Sequence, residues 1–317
     1  MARKREVAAR SYRQKVVNIS SLEVNREKFI DHCINEKNLR EDTITCYTNH
    51  IKMLEKYLTV CGHRGTVEDV TREDVEELIR YLRNERKWAQ TSINACITHL
   101  KVFFNYLIGK DIIAINPLAK IKKGRVDEKP IIPFSPEQVK LILKQPDKSK
   151  YVGFRNYIIM LLFADTGVRI SEALNIKVKD VDQNYIILTH TKNRKPRYLK
   201  LSDNTVKELK RFLDTYLDDN KDDYLFLNQD GTQLQKRTVQ DFVKKYGEQA
   251  GIKGVRLSPH TFRHFFAMSC IKNNMSTSEL RQRLGHETLY TVEKYLHWTK
   301  EDIVNNDSYS PLQEMSI

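Results

Sequence analysis

No stretch of this 317-residue chain approaches the roughly 20 consecutive apolar residues that cross a bilayer. The opening MARKREVAARSYRQ has none of the apolar core of a secretory leader, so a cytoplasmic protein is expected. Cysteine is scarce and badly spaced for structure. Cys33, Cys46, Cys61, Cys96 and Cys270 are odd in number and never form C-x-x-C, which argues against zinc ribbons and disulfide frameworks and for reduced thiols. Internal repeats and low-complexity tracts are missing as well. Negative charge is in deficit: 41 Asp plus Glu stand against 54 Lys plus Arg, a formal net charge of +13. That excess carries no information about fold, but it favours polyanionic partners, and with no membrane span it points to nucleic acid.

The length allows two ordinary domains, each with its own core. Residues 1–18 are basic and poor in large aliphatics, as expected of an arm that lies on phosphates. Four helical patterns follow within 19–115. Phe29, Ile30, Cys33 and Ile34 form one apolar stripe, and Ile44, Ile51, Leu54 and Leu58 a second. Thr71 with Asp74 reads as a capping box before Val75, Leu78, Ile79 and Leu82. From Ser92, the residues Ile93, Ile97, Leu100, Phe104 and Leu107 share a face, with Gly109 as the stop. Residues 116–134, rich in Pro and Lys, read as a basic linker. Ser135, Pro136 and Gln138 then open a second domain as N-cap, N1 proline and capping partner.

The second domain, 135–300, reads as mostly helical with a small sheet. The buried helix YIIMLLFAD runs through Thr166-Gly167 into VRISEAL. YIILTHTKNRKPRYLKL (185–201) is a hairpin with a cationic turn, and helices resume near 203–219, 235–249, 258–272 and 277–284.

Several residues in this domain could carry chemistry, and each has a plainer reading. Ser258 and Pro259 start a helix that puts His260 and Arg263 on one face at its N-terminus, where an anion is favoured; solvated polar residues on a capped helix explain them equally. His260 and His264 have metal-ligand spacing, yet the glutamate of H-E-x-x-H is missing and Phe262 lies between them, which counts against zinc. Arg169 and Glu172 form either a surface ion pair worth about 0–1 kcal/mol or a cleft arginine oriented by its carboxylate. Lys192, with Arg194, Lys195 and Arg197, occupies the hairpin turn, as a solvated loop or as an ammonium reaching into a groove.

LGHETLYTVEKYLHWTK (284–300) holds Tyr290 and Tyr295. Tyrosine is more often a packing residue, since its pKa near 10 keeps it protonated. It becomes a nucleophile where cations surround the electrophile, and Arg169, Lys192, His260, Arg263 and His286 supply such a set.

Taken in order, TGVRISEAL, a basic hairpin lysine, HTFRH, LGH and a tyrosine nine residues after His286 resemble the tyrosine recombinases, the family of phage integrases, Xer resolvases and transposon recombinases. The resemblance is close over 135–300; the first domain is similar only in helical character and position. It implies a mainly α protein with a small antiparallel sheet: a helical, SAM-like core-binding domain followed by a mixed α/β catalytic domain. It implies that Tyr295 attacks the scissile phosphate to form a 3′-phosphotyrosyl bond, with Arg169 and Arg263 holding the non-bridging oxygens. Lys192 would protonate the leaving 5′-oxygen, His260 would act as base toward Tyr295, His286 would donate to a phosphate oxygen, and Glu172 would support Arg169. No cofactor, metal or nucleotide is implied. The implied partners are double-stranded DNA with inverted-repeat core sites and a homotetramer that exchanges strands through a Holliday junction, at the nucleoid.

The hairpin departs from the family in having no glycine in HTKNRKPR, so Lys195 competes with Lys192. Tyr290 has no assigned role; on a continuous helix it would be about 140° from Tyr295. Tyr309 lies in the tail, 301–317, which is either a frayed end or a segment exchanged between protomers. Without room for an arm-binding domain, the chain is expected to be a simple recombinase of the Xer or transposon type. Two other readings are a type IB topoisomerase-like relaxase and a catalytically silent DNA-binding regulator.

Overall fold

The computed structural model describes residues 21–63, 65–126, 132–189, 196–216 and 223–285. The expected arm (1–18), the hairpin turn with Lys192, Arg194 and Lys195, and the tail with His286, Tyr290, Tyr295 and Tyr309 lie outside them. The chain divides into two compact units, 1–128 and 129–317. The described part is mainly helical with one two-stranded antiparallel sheet, the class expected.

The first unit holds α1 (Leu22–Asn35), α2 (Glu41–Val60), α3 (Arg72–Asn84) and α4 (Gln90–Gly109). The Thr71–Asp74 capping box forms as expected at the start of α3. α4 packs against the other three helices, and Phe103, Phe104 and Leu107 on it are fully buried with Phe29, Leu54 and Leu78. Gly109 is not the stop. It is the last helical residue, and the left-handed turn falls at Asp111, with φ 57°.

The segment expected to begin a linker is part of this unit. Leu118 and Ile121 are buried in its core. Asn94 of α4 grips Gly124 twice, donating to its carbonyl at 2.8 Å and accepting from its N–H at 2.9 Å. Lys101 Nζ donates to the Ile121 carbonyl at 2.8 Å. Composition misleads here because polar side chains of α4, the Asn94 amide and the Lys101 ammonium, hold the segment through its backbone groups, which leave no apolar periodicity.

The second unit starts at α5 (Pro136–Leu143), with the Ser135–Gln138 capping box in place. Its centre is α6 (Tyr151–Thr166), buried on nearly every side, as a helix enclosed by others must be. α8 (Asp203–Tyr216) and α10 (Pro259–Lys272) pack on it, and α11 (Thr277–Leu284) packs on α10. α7 (Ile170–Ala173) is a single turn, and α9 (Lys236–Gln249) lies between α8 and α10 in the chain. The strands β1 (Tyr185–Leu188) and β2 (Arg197–Lys200) pair with Tyr185 opposite Lys200 and Leu188 opposite Arg197. All five cysteines are free. No described helix is long and apolar enough to cross a membrane.

Candidate active site

α6 ends at Gly167, whose φ of 60° terminates the helix in the left-handed region. A Cβ there would lie 2.6 Å from the Phe266 ring, so glycine also permits the close approach of α10. The turn delivers Arg169 as the N-cap of α7, three residues before Glu172. The Arg169 backbone N–H donates to Glu172 Oε2 at 3.1 Å, and its Nη1 donates to Oε1 at 2.9 Å.

Glu172 is not Arg169's alone. Arg197 Nη2, from β2, donates to Glu172 Oε2 at 2.7 Å. The Glu172 side chain is only 2% exposed, between arginine side chains that are 20% and 13% exposed. Burial by itself would raise the Glu172 carboxyl; the attraction of Arg197, then of Arg169, and their hydrogen bonds outweigh it and hold the group below the usual carboxylate range. This is a charged, oriented cluster rather than a surface pair.

Arg263 projects from the first turns of α10 and is 5% exposed. Its Nη1 donates to the Gly167 carbonyl at 2.6 Å and its Nη2 to the Leu284 carbonyl at 2.7 Å. Arg169 Nη2 donates to the Gly285 carbonyl at 3.1 Å, and Arg197 Nη1 to the Arg283 carbonyl. Three guanidiniums thus meet three consecutive carbonyls where α11 ends at Gly285, with φ 63°. A helix C-terminus leaves carbonyls without intrahelical partners and carries partial negative charge, so cations belong there. Three arginines against one carboxylate leave the cluster at a net charge of 3 − 1 = +2, suited to a further anion.

His260 is the second residue of α10 and is exposed. Partial burial of its ring, then the charges of Arg263, Arg256 and Arg169, hold it below the ordinary imidazole range. It is therefore neutral near pH 7 and able to accept a proton. His264, one turn along, is pushed down to about 4 by burial, then by His260 and Arg263. Among the described residues no group of three or more His, Cys, Asp or Glu could hold a metal ion.

Of the residues singled out in the sequence, the structure brings together Arg169, Glu172, His260 and Arg263. Lys192, its competitor Lys195, His286 and Tyr295 lie outside the described residues. One member of the cluster differs from expectation. Arg197 belongs to β2, not to a solvated turn, and points into the site. The signal was available: Leu199 and Leu201 are buried, and side chains two apart share a face of a strand, so Arg197 falls on the inward side.

Two family profiles match this chain: phage integrase family over residues 134–302, and phage integrase, N-terminal SAM-like domain over 26–114. The tyrosine recombinase XerC of Lactobacillus delbrueckii subsp. bulgaricus is 27% identical over 281 residues, covering 86% of this chain and 93% of its own. Tyrosine recombinase XerD of Staphylococcus aureus is 27% identical over 273 residues, covering 84% and 92%. Among solved structures, a lambda integrase dimer bound to a core site superposes with a TM-score of 0.70 at 16% identity, over 92% of this chain and 82% of that one. The Tn1549 transposon integrase in complex with circular intermediate DNA gives 0.69 at 21% identity, over 90% and 98%. The two superpositions speak to fold alone.

Proposed function

Because this chain belongs to the phage integrase family, we propose that it is a tyrosine-type site-specific recombinase that breaks and rejoins double-stranded DNA. The observation that carries the reading is the convergence of Arg169, from the turn after α6, with His260 and Arg263, from the start of α10, on one net-cationic site. The named relatives are tyrosine recombinases covered over nearly their whole length. DNA as the substrate belongs to the same reading, and a charge of +13 suits it.

The Tyr295 oxygen bonds to the scissile phosphorus while the bond to the 5′-oxygen breaks, leaving a 3′-phosphotyrosyl link and a 5′-hydroxyl. The phenol proton goes to His260, which is neutral and so has a nitrogen lone pair to accept it. Lys192 supplies the proton for the leaving 5′-oxygen. Arg169 and Arg263 offset charge on the non-bridging oxygens, a task suited to planar guanidinium; His286 adds a hydrogen bond. The covalent link keeps the energy of the broken diester, so a 5′-hydroxyl from a second duplex reverses the step. Repetition on paired inverted-repeat sites gives a Holliday junction within a tetramer.

Nicked suicide duplexes built from inverted repeats flanking the gene test this on a denaturing gel. Wild-type protein is expected to form a shifted adduct without added metal, and Tyr295→Phe to bind the same duplex without forming it. An adduct that survives in Tyr295→Phe, or none from folded, DNA-bound wild type, overturns the proposal. Relaxation of plasmids without sequence preference would redirect it to a relaxase.

A further inference from the structure

The cluster closes into a ring. Arg169 Nη1 bonds Glu172 Oε1, Glu172 Oε2 bonds Arg197 Nη2, Arg197 Nη1 bonds the Arg283 carbonyl, and two residues on the Gly285 carbonyl returns to Arg169 Nη2. The ring ties three segments remote in sequence: the turn after α6, the start of β2 and the end of α11. Arg197, like Arg169, bonds both Glu172 and the helix end, and it alone brings β2 into the ring. Its Nε is 3.3 Å from where a Cβ on Gly285 would stand, so the guanidinium lies against that left-handed glycine. Its Nε–H is buried and finds no acceptor among the described residues.

We propose, on the recombinase reading, that Arg197 is a positioning residue, clamping Glu172 to the C-terminus of α11 and so fixing the bearing of Arg169 toward the phosphate. Arg197 itself donates to protein groups through both Nη atoms and does not touch the reacting atoms. Lysine cannot replace it, because a single ammonium has no planar fork to span the carboxylate and the carbonyl. The effect falls on the transition state, since Arg169 must face charge that develops during cleavage, and ground-state DNA binding draws on many other contacts.

Two variants, read by hydrogen exchange, adduct rate, DNA affinity and the pH profile of cleavage, decide it. In DNA-free full-length protein, Arg197→Met is expected to speed hydrogen exchange across 277–285 by about tenfold or more, with α8 and α9 unchanged. On the suicide duplex, its adduct should form about 10–100 times more slowly, with a dissociation constant within about twofold of wild type. Arg197→Lys separates charge from geometry. The charged groups whose fields act on Glu172 are Arg197 and Arg169, so losing the first in Arg197→Met moves the acid limb of cleavage to higher pH. Arg197→Lys restores that limb while exchange stays fast and the maximal rate stays low. Unaltered exchange in Arg197→Met overturns the clamp. Fast exchange with a wild-type adduct rate overturns the positioning role. If wild type forms no adduct, the recombinase reading fails and the positioning role with it, and exchange still decides whether the clamp exists.

Discussion

Replacing Glu172 with glutamine isolates the carboxylate's contribution to the second unit. The side chain accepts three hydrogen bonds, from the Arg169 N–H at 3.1 Å, Arg169 Nη1 at 2.9 Å and Arg197 Nη2 at 2.7 Å. Glutamine keeps the shape but offers one acceptor oxygen, and its NH2 must face a guanidinium. Each lost ion pair has a Coulomb energy of about 4 kcal/mol at 4 Å and an effective dielectric of about 20. Solvent reaching the two partly exposed arginines reduces that, and the released desolvation of the carboxylate offsets part of the rest. Breaking a buried pair from one side typically costs about 3–5 kcal/mol, and that is the expected loss in urea unfolding of Glu172→Gln at pH 7. The loss depends on pH in a fixed direction. A carboxyl held below its ordinary value stabilises the fold fully above the unfolded value of about 4.3 and loses that contribution as pH falls through the folded one. The gap between wild type and variant should therefore start to narrow as pH falls below about 4.3 and close only once pH has passed the folded value. A loss under about 1 kcal/mol at pH 7 would mean that the cluster behaves as an exposed ion pair, and the account of the site would be wrong.

His264 gives a prediction of the same kind in a different window. Held at about 4 when folded against about 6.5 unfolded, it makes unfolding take up a proton between those values, so stability should fall by up to about 1.4 kcal/mol per pH unit on acidification. His264→Gln should flatten that slope in urea titrations from pH 6.5 to 4.5; equal slopes would exclude the titration. Gly167→Ala should destabilise by roughly 2–5 kcal/mol, combining the left-handed backbone with overpacking of Phe266. Adding Phe266→Leu should recover the steric part alone, and full recovery would show that the backbone conformation costs nothing.

The sequence carried much of this plan because local chemistry and tertiary structure agree. Thr71 with Asp74 and Ser135 with Gln138 are capping pairs whose partners are three residues apart, so nothing distant is needed to form them. Arg169, Glu172, His260 and Arg263 stand in short motifs that each fit one turn of helix. What escaped was non-local. Arg197 looks like one more basic residue of a cationic turn until strand phase places it beside Leu199, and its partners are 25 and 86 positions away. The carbonyls of 283–285 have no signature at all, since every residue carries one and only the arrival of three arginines sets these apart. Residues 116–126 misread for a related reason: their bonds to Asn94 and Lys101 run through backbone groups.

The central claim is that one particular tyrosine becomes covalently joined to DNA, and mass spectrometry of the trapped adduct tests it most directly. Trypsin cuts after Arg283, Lys294 and Lys300, so Tyr290, Tyr295 and Tyr309 fall in three different peptides: 284–294, 295–300 and 301–317. After nuclease trimming, the nucleotide mass is predicted on peptide 295–300, localised to Tyr295. The same mass on Tyr290, on Tyr309 or on a residue other than tyrosine would contradict the account.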